Sequence, residues 1–439
     1  MLNIFDLSLK ISGFPLKKAK LEMQEILSIP DEDFQEFTLK KRNEIVAFHL
    51  KNNSNYIEFV GKSTFEKWTD LPIMTKKDFQ KPLSERLSKD FSSNNVYVNK
   101  TSGSSGDPFI FAKDKFCHAL TWANIQNRFA WFGIDFNTSL QARFYGIPLD
   151  FFGNKKERFK DFLSNRYRFS IFDLSDKVLE KILMQFRNKK FDYINGYTSS
   201  IVLFAKFLEQ KNIILKTICP TIKCCVVTSE MLFESDKLLL EKQFRVPIVN
   251  EYGASELDLI SFQNIDNDWQ VNSETLFVEI LDQKNNVLPN GTEGRIVITS
   301  LYNKAHPFIR YDIGDIGILD EKSTFKKPLL KKLIGRTNDI AILPSGKKSP
   351  GLTFYYVTKS IIEDDGNVKE FIVKQIKIDT FEVDYVSEIE LSDSQILDIQ
   401  KAITTYLESG LTFIFDRKEK LERSKSGKLK QFVSLIKPK

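Results

Sequence analysis

Between Tyr97 and Pro108 the chain reads Tyr-Val-Asn-Lys-Thr-Ser-Gly-Ser-Ser-Gly-Asp-Pro, a strand-like run opening into a loop rich in hydroxyls and glycine. Gly103 and Gly106 can take positive φ, so several backbone N–H groups can turn toward one anion. Thr101, Ser102, Ser104 and Ser105 add hydroxyl donors without adding charge. The loop lacks the Gly-Lys-Ser/Thr ending of a Walker A motif and the three-glycine spacing of a dinucleotide fingerprint. It reads as another kind of phosphate-gripping loop, although a Ser/Gly cluster before proline is also an ordinary turn.

Four further segments bear on that choice. Asn250-Glu251-Tyr252-Gly253-Ala254-Ser255-Glu256 follows the apolar run Val246–Val249, where the carboxyl end of a buried strand would open onto a ligand crevice. Tyr252 offers a flat face for a purine, Gly253 a close backbone approach, and Ser255 and Glu256 oxygen for phosphate and Mg²⁺. A turn with a buried tyrosine and an exposed glutamate fits the same letters. In Arg310-Tyr311-Asp312-Ile313-Gly314-Asp315, Asp315 suits a carboxylate accepting from two ribose hydroxyls. In Gly335-Arg336-Thr337-Asn338-Asp339, Arg336 can pair with phosphate or ribose through its planar fork, or form a surface ion pair. Arg423-Ser424-Lys425-Ser426-Gly427-Lys428 puts Lys428 on a glycine-hinged loop, free to bring an ammonium to a phosphoryl or acyl oxygen.

The elements that must position these residues follow from periodicity. Helical spacing marks Lys17–Ser28, Asp33–Lys51, Lys115–Phe132, Ser175–Arg187 and Ser199–Gln210. Short apolar runs at Ser139–Gly146, Tyr193–Tyr197, Thr221–Val227 and Pro247–Asn250 read as buried strands between helices, so the expected class is α/β with a largely parallel sheet. From Glu274 short strands and turns predict a β-rich subdomain: Thr275–Leu281, the Pro289-Asn290-Gly291 turn and Gly294–Ser300. Beyond Gly335, strands near Phe371–Lys377 and Phe381–Val386, a helix near Ser392–Glu408 and a strand at Leu411–Phe415 predict a small α+β domain. At 439 residues the chain exceeds one ordinary core, and the expected division is 1–334 and 335–439.

Composition excludes several classes. Hydrophobic content of 42% and charged content of 28% are those of a globular protein, and the 38 phenylalanines are scattered through apolar-periodic segments as core filling. No apolar run reaches a membrane span, and charge interrupts the N-terminus too early for a signal-peptide core, so a cytoplasmic protein is expected. Cys117, Cys219, Cys224 and Cys225 contain no C-x-x-C pair, and only His49, His118 and His306 could supply imidazole. Net charge is +6, and residues 417–439 alone hold nine Lys/Arg against two Glu. Such a tail suits a solvated segment, nucleic acid or phosphate. Beside Lys428, phosphate is the reading preferred here, and no nucleic-acid partner is expected.

Taken in order, Thr101–Pro108, Tyr252–Glu256, Tyr311–Asp315, Gly335–Asp339 and Ser426-Gly427-Lys428 resemble the adenylate-forming superfamily of acyl-CoA synthetases, luciferases and peptide-synthetase adenylation domains. The resemblance runs from about Asp70 to the C-terminus. Leu71-Pro72-Ile73-Met74-Thr75-Lys76-Lys77-Asp78 and the Thr228-Ser229-Glu230 turn are similar to the phenylacetate-CoA ligase branch. Gly335–Asp339 followed by Leu343-Pro344-Ser345-Gly346-Lys347 is similar to members associated with capsular polysaccharide biosynthesis.

The resemblance implies a large α/β domain, a small mobile C-terminal domain, and two steps: a carboxylic acid attacks the ATP α-phosphate, releasing pyrophosphate, and the acyl-adenylate passes to CoA or another thiol. Transfer to an amine or a carrier protein is the alternative, with a silent nucleotide-binding homologue behind it. By the same resemblance, Thr101, Ser102, Gly103, Ser104, Ser105 and Gly106 hold the β- and γ-phosphates. Tyr252 packs on adenine beside Gly253 and Ser255, Glu256 binds Mg²⁺, and Asp315 and Arg336 hold ribose. Lys428 bridges the carboxylate and the α-phosphate, and Asp339 is the hinge. Tyr145, Tyr197, Ser229 and Ala254 are candidate linings of the acid pocket, although buried hydroxyls at strand ends also serve simply as satisfied core groups. Two departures stand out. Asp312-Ile313 replaces the usual Arg-Thr, and no lysine follows Pro108. Some members of the branch carry a Cys/His cluster after the Tyr-Gly segment; Leu257–Val271 contains neither type, so no structural zinc is expected. A two-fold dimer is the default oligomer.

Overall fold

A computed structural model describes residues 4–61, 65–101, 109–146, 151–171, 174–336, 340–346, 348–350, 368–406, 408–423 and 429–436. Four helices open the chain: α1 (Ile4–Ile11), α2 (Leu16–Ser28), α3 (Phe34–Asn52) and α4 (Ser54–Val60). Asn53 caps α4, accepting from Tyr56 N–H at 2.8 Å, and Gly61 ends it at φ +67°. After the short α5 (Leu83–Arg86), β1 (Tyr97–Lys100) and β2 (Ile110–Lys113) form an antiparallel hairpin with Lys100 opposite Ile110. Asp114 then starts α6 (Lys115–Ala130) by accepting from Phe116 and Cys117 N–H, each at 2.9 Å.

The central sheet has seven strands. They are β3 (Gln141–Phe144), β4 (Arg166–Phe169), β5 (Tyr193–Tyr197), β6 (Cys224–Thr228), β7 (Ile248–Ala254), β8 (Asp258–Gln263) and β9 (Trp269–Val271). Their order is β4-β3-β5-β6-β7-β8-β9; the first five are parallel, and β8 and β9 add an antiparallel edge. Between these strands come α7 (Phe151–Leu163), α8 (Asp176–Asn188), α9 (Thr198–Gln210), α10 (Leu215–Ile218) and α11 (Glu234–Phe244). One face of the sheet buries Phe144, Ile194 and Val227 against Leu183, Phe204 and Leu240 of α8, α9 and α11. The other buries Tyr193, Val226 and Val249 with Phe129 of α6 and Phe5 and Leu9 of α1. Burial on both faces is what a parallel sheet requires.

A four-stranded sheet follows, in the order β10 (Leu276–Leu281), β11 (Gly294–Ser300), β12 (Tyr311–Leu319), β13 (Leu330–Arg336). The chain divides into two compact units: Met1–Ile313 with Gly317–Lys332, and Gly314–Ile316 with Leu333–Lys439. The second contains the hairpin β14 (Ile340–Ile342) and β15 (Lys348–Pro350), then β16 (Val368–Gln375), β17 (Thr380–Ser387), α12 (Asp393–Tyr406), β18 (Thr412–Arg417) and β19 (Phe432–Ser434). Its sheet runs β18-β17-β16-β19, with β16 and β17 antiparallel and both edge strands parallel to their neighbours.

The α/β class read from the sequence is the class observed. One boundary is corrected. Asn250–Ala254 does not emerge as a loop after a short strand; it continues β7, because antiparallel β8 supplies hydrogen-bond partners out to Ala254.

All three histidines are buried without charge. His49 lies between Ser88 Oγ (3.1 Å) and the Asn303 carbonyl (2.9 Å), and burial lowers its pKa to about 4. Arg86 donates to His306 Nε2 at 2.7 Å, so that nitrogen must accept. His118 is lowered to about 4 by burial. Unfolded imidazoles take up protons near pH 6.5 and these do not until about pH 4, so stability is lost as pH falls through that window. Each histidine contributes a slope of about 1.4 kcal/mol per pH unit there. The raised carboxyl of Asp114 acts in the opposite sense, so the informative quantity is a difference. His49→Gln is expected to lower the urea midpoint at pH 7 and flatten its fall between pH 6.5 and pH 4.5; equal slopes in the two proteins would contradict the assignment.

Candidate functional site

The hairpin β1–β2 fixes both ends of the Ser/Gly loop. Thr101 N–H donates to the Phe109 carbonyl and Phe109 N–H to Thr101 Oγ1, each at 3.0 Å. Thr101 therefore accepts from the far side of the loop through its hydroxyl oxygen and keeps one O–H to donate. Phe109 stacks on Phe79 at 5.1 Å, and Phe79 also packs against Phe308 (4.9 Å) and Tyr311 (5.3 Å). Ser102, Gly103, Ser104, Ser105 and Gly106 lie outside the described residues, as do Asp339 and Lys428.

Beside that aromatic cluster, Tyr311 donates from its hydroxyl to Glu256 Oε1 at 2.9 Å. Glu256 sits in the Ser255–Leu257 turn between β7 and β8 and is 4% exposed, whereas Ser255 is exposed. The bond joins two of the five motif segments. Its geometry excludes the exposed-glutamate alternative. The adjoining Leu71–Asp78 segment is held by the same strand: Met74 N–H donates to the Arg310 carbonyl (3.0 Å) and Asp312 N–H to that of Met74 (2.8 Å). Arg310 is fully buried, facing Glu279 at 3.4 Å and donating to the Thr69 and Leu71 carbonyls. It clamps structure; nothing in its sequence context distinguished it from a ligand contact.

Tyr252 is 8% exposed, its ring 6.2 Å from Trp269 and edge-on to it. A cleft of about 360 Å³ opens beside Trp269, lined also by Asn250, Gln263, Glu234 and Lys237. Gly253 is required by the strand pairing itself: the β7–β8 register shifts between Tyr252 and Gly253, and a Cβ there would lie 2.4 Å from the Asp258 carbonyl oxygen. Asp258 in turn forms an ion pair with buried Lys113 at the end of β2, tying the motif turn to the loop hairpin. In β12, Asp315 is 5% exposed, and Arg336 is the last residue of β13.

The candidate acid-pocket residues Tyr145 and Tyr197 meet, with ring centroids 4.7 Å apart. Strand register extends this row along one face, because Tyr197 pairs with Thr228 and Thr228 with Glu251. A second row lies behind it: Tyr145 donates to Asn195 Oδ1 at 3.2 Å, and the Arg143 guanidinium stacks 4.0 Å from the Tyr145 ring. Burial raises the Glu251 carboxyl, opposed by a hydrogen bond from Thr228 and the charge of Arg143. Arg166, lowered to about 10 by burial and then by Arg143, flanks the row. Ser229 lies beside the row but is exposed at φ +71°; its neighbour Glu230 accepts from Ser199 N–H at 2.7 Å at the start of α9. Ala254 is half-buried at the end of β7.

Arg143, Asn195 and Glu251 were not singled out from the sequence. The signal was present as polar residues at every second position of Gln141–Tyr145 and Tyr193–Tyr197, in strands that a doubly covered sheet would make uniformly apolar. Among the described residues no three His, Cys, Asp or Glu side chains converge as a metal set. Glu256 still offers Oε2, which makes no hydrogen bond to a described residue, and a single carboxylate completed by phosphate and water oxygens suits Mg²⁺.

Gly253→Ala is expected to cost at least about 2 kcal/mol, since the clash is with backbone. Tyr311→Phe, which deprives a buried carboxylate of its donor, is expected to cost about 1–3 kcal/mol. Urea denaturation measures both; either variant unfolding at the parent midpoint would contradict the geometry.

No family model matches the chain. Protein CapK of Staphylococcus aureus is 23% identical over 335 residues, covering 72% of this chain and 69% of CapK. Among solved structures, 2-hydroxyisobutyryl-CoA ligase in the postadenylation state with R3-HIB-AMP matches with TM-score 0.72 at 14% identity, over 93% of this chain and 90% of that one. The amide bond synthetase McbA from Marinactinospora thermotolerans gives 0.54 at 14% identity, over 76% and 67%. The o-succinylbenzoate CoA synthetase MenE from Bacillus subtilis, with AMP, gives 0.52 at 16% identity over the same shares. The chain has the fold of the adenylate-forming ligases.

Proposed function

We propose that this protein activates a carboxylic acid with ATP, forming an acyl-adenylate and releasing pyrophosphate, and then transfers the acyl group to CoA or another thiol. The observation that carries the reading is the Tyr311–Glu256 hydrogen bond, which seats a buried carboxylate where two of the five ordered segments meet, beside the hairpin that carries the Ser/Gly loop. The acid binds along the Tyr145–Tyr197–Thr228–Glu251 row at the carboxyl ends of parallel strands, the crevice such sheets present to ligands.

In this reading the loop Thr101–Gly106 holds the β- and γ-phosphates, Tyr252 faces adenine beside Gly253 and Ser255, and Asp315 with Arg336 holds ribose. Glu256 would hold Mg²⁺, which when bound supplies neutralising charge at the phosphates. Lys428 brings its ammonium to the acid carboxylate and the α-phosphate; at about 4 Å and an effective dielectric of 20 that attraction is about 4 kcal/mol. The chain contributes charge and orientation, and the acid oxygen is the nucleophile. Residues 335–439 act as the mobile part, turning about Asp339 between the steps. Transfer to an amine or a carrier protein, in the making of a surface polysaccharide, is the second reading. It is favoured by the likeness to CapK and to an amide bond synthetase.

Pyrophosphate release with Mg-ATP, hydroxylamine as trap and a panel of aryl, fatty, hydroxy and amino acids tests the first step. One acid class should give release, and Lys428→Ala should depress it by about 10²–10³-fold. Undiminished release in that variant would remove Lys428 from the chemistry. Asp339→Pro fixes φ at the hinge and should leave adenylation intact while blocking transfer. Equal loss of both steps would refute the hinge. Supplying labelled acid with CoA or with a candidate amine separates the two acceptors.

A further inference from the structure

Helix α7 is turned inside out relative to an ordinary surface helix. Both its carboxylates are held by Arg168: Asp161, 2% exposed, pairs with Arg168 Nε at 2.7 Å, and the half-buried Glu157 pairs with Arg168 NH2 at 3.0 Å and with Lys160 at 2.7 Å. Residues 157 and 161 are one helical turn apart, so fixing them fixes the rotation of the whole helix. At 100° per residue, Lys155, Lys156, Phe159 and Phe162 then fall on the opposite, outward half. Phe159 is 62% and Phe162 76% exposed, and both lysines are exposed. Helix α1 packs beside α7 and repeats the pattern, burying Phe5 and Leu9 while Ile4, Leu7 and Ile11 stand out. Large apolar side chains set among lysines, with both acids of α7 neutralised by ion pairs, make the chemical complement of an apolar layer with an anionic rim.

We propose that the surface built by α1 and α7 seats this protein on an anionic lipid surface. The phenylalanines enter the boundary between headgroups and acyl chains, and Lys155 and Lys156 remain at headgroup level, their stems lying along apolar surface. The exposures are those of side chains projecting from single helices, which suits a soft layer better than a rigid groove. A second copy is the poorer occupant, because a two-fold contact would bring two faces of like positive charge together. No helix among the described residues is long and apolar enough to cross a membrane, so the contact is peripheral.

The test is co-sedimentation of the full chain with vesicles of equal parts phosphatidylglycerol and phosphatidylcholine, and with phosphatidylcholine alone. Binding to the anionic vesicles is expected, at least about tenfold weaker on neutral ones. Phe159→Ser with Phe162→Ser should weaken it about a hundredfold. Lys155→Glu with Lys156→Glu should weaken it about tenfold or more. Both double variants should keep the parent urea midpoint. Absence of sedimentation with anionic vesicles, or binding unchanged in the phenylalanine variant, would overturn the proposal. So would a dimer that the phenylalanine variant converts to monomer, since the face would then be an interface between copies. Vesicle binding is read without turnover, so its failure leaves the adenylation reading standing.

Discussion

The site depends on one contact, the hydrogen bond from the Tyr311 hydroxyl to the buried Glu256 carboxylate. A carboxylate removed from water is costly unless it is hydrogen-bonded, and here the donor comes from β12 while the acceptor sits on the β7–β8 turn. Around it everything local is constrained. Gly253 is dictated by the approach of the Asp258 carbonyl, Asp258 is held by Lys113, and Phe109 fixes the outgoing end of the Ser/Gly loop against Phe79, itself packed on Tyr311. Three chain segments far apart in sequence are thereby brought to one place.

The parallel sheet does the rest. Its register sets Tyr145, Tyr197, Thr228 and Glu251 side by side at the strands' carboxyl ends, with Arg143 and Asn195 one step behind. A polar patch inside a doubly covered sheet gains nothing for stability unless its groups are paired, and the pairing is incomplete: Arg143 Nε has no hydrogen-bond partner among the described residues. If the row takes the acid, as proposed, its arginine and glutamate would discriminate among acids more sharply than an apolar pocket.

The sequence made the α/β class and the motif segments legible because both are local properties: apolar period, glycine, and hydroxyl clusters. The motif segments bearing Asp315 and Arg336 could be found by reading along the chain alone, but not that they lie in strands β12 and β13. What could not be found was anything set by register or by distant burial. Arg310 looked like part of a binding motif and is a buried clamp on Thr69 and Leu71. Gly253 reads in the sequence as room for a ligand, and the structure adds a second demand, room for a neighbouring strand. Asn250–Ala254 looked like a loop because the strand that extends it, β8, contributes nothing to the local pattern. The outward phenylalanines of α7 were legible only after Arg168 fixed which way that helix faces.

The account stands on the claim that an acid oxygen attacks the α-phosphate of ATP. The most direct measurement uses acid labelled with ¹⁸O in its carboxylate, carried through a full turnover with Mg-ATP and acceptor, and follows the label into the nucleotide products by mass spectrometry. One labelled oxygen in AMP is the predicted result. Label in inorganic phosphate, with ADP as the nucleotide product, would mean attack at the γ-phosphate and would contradict the account.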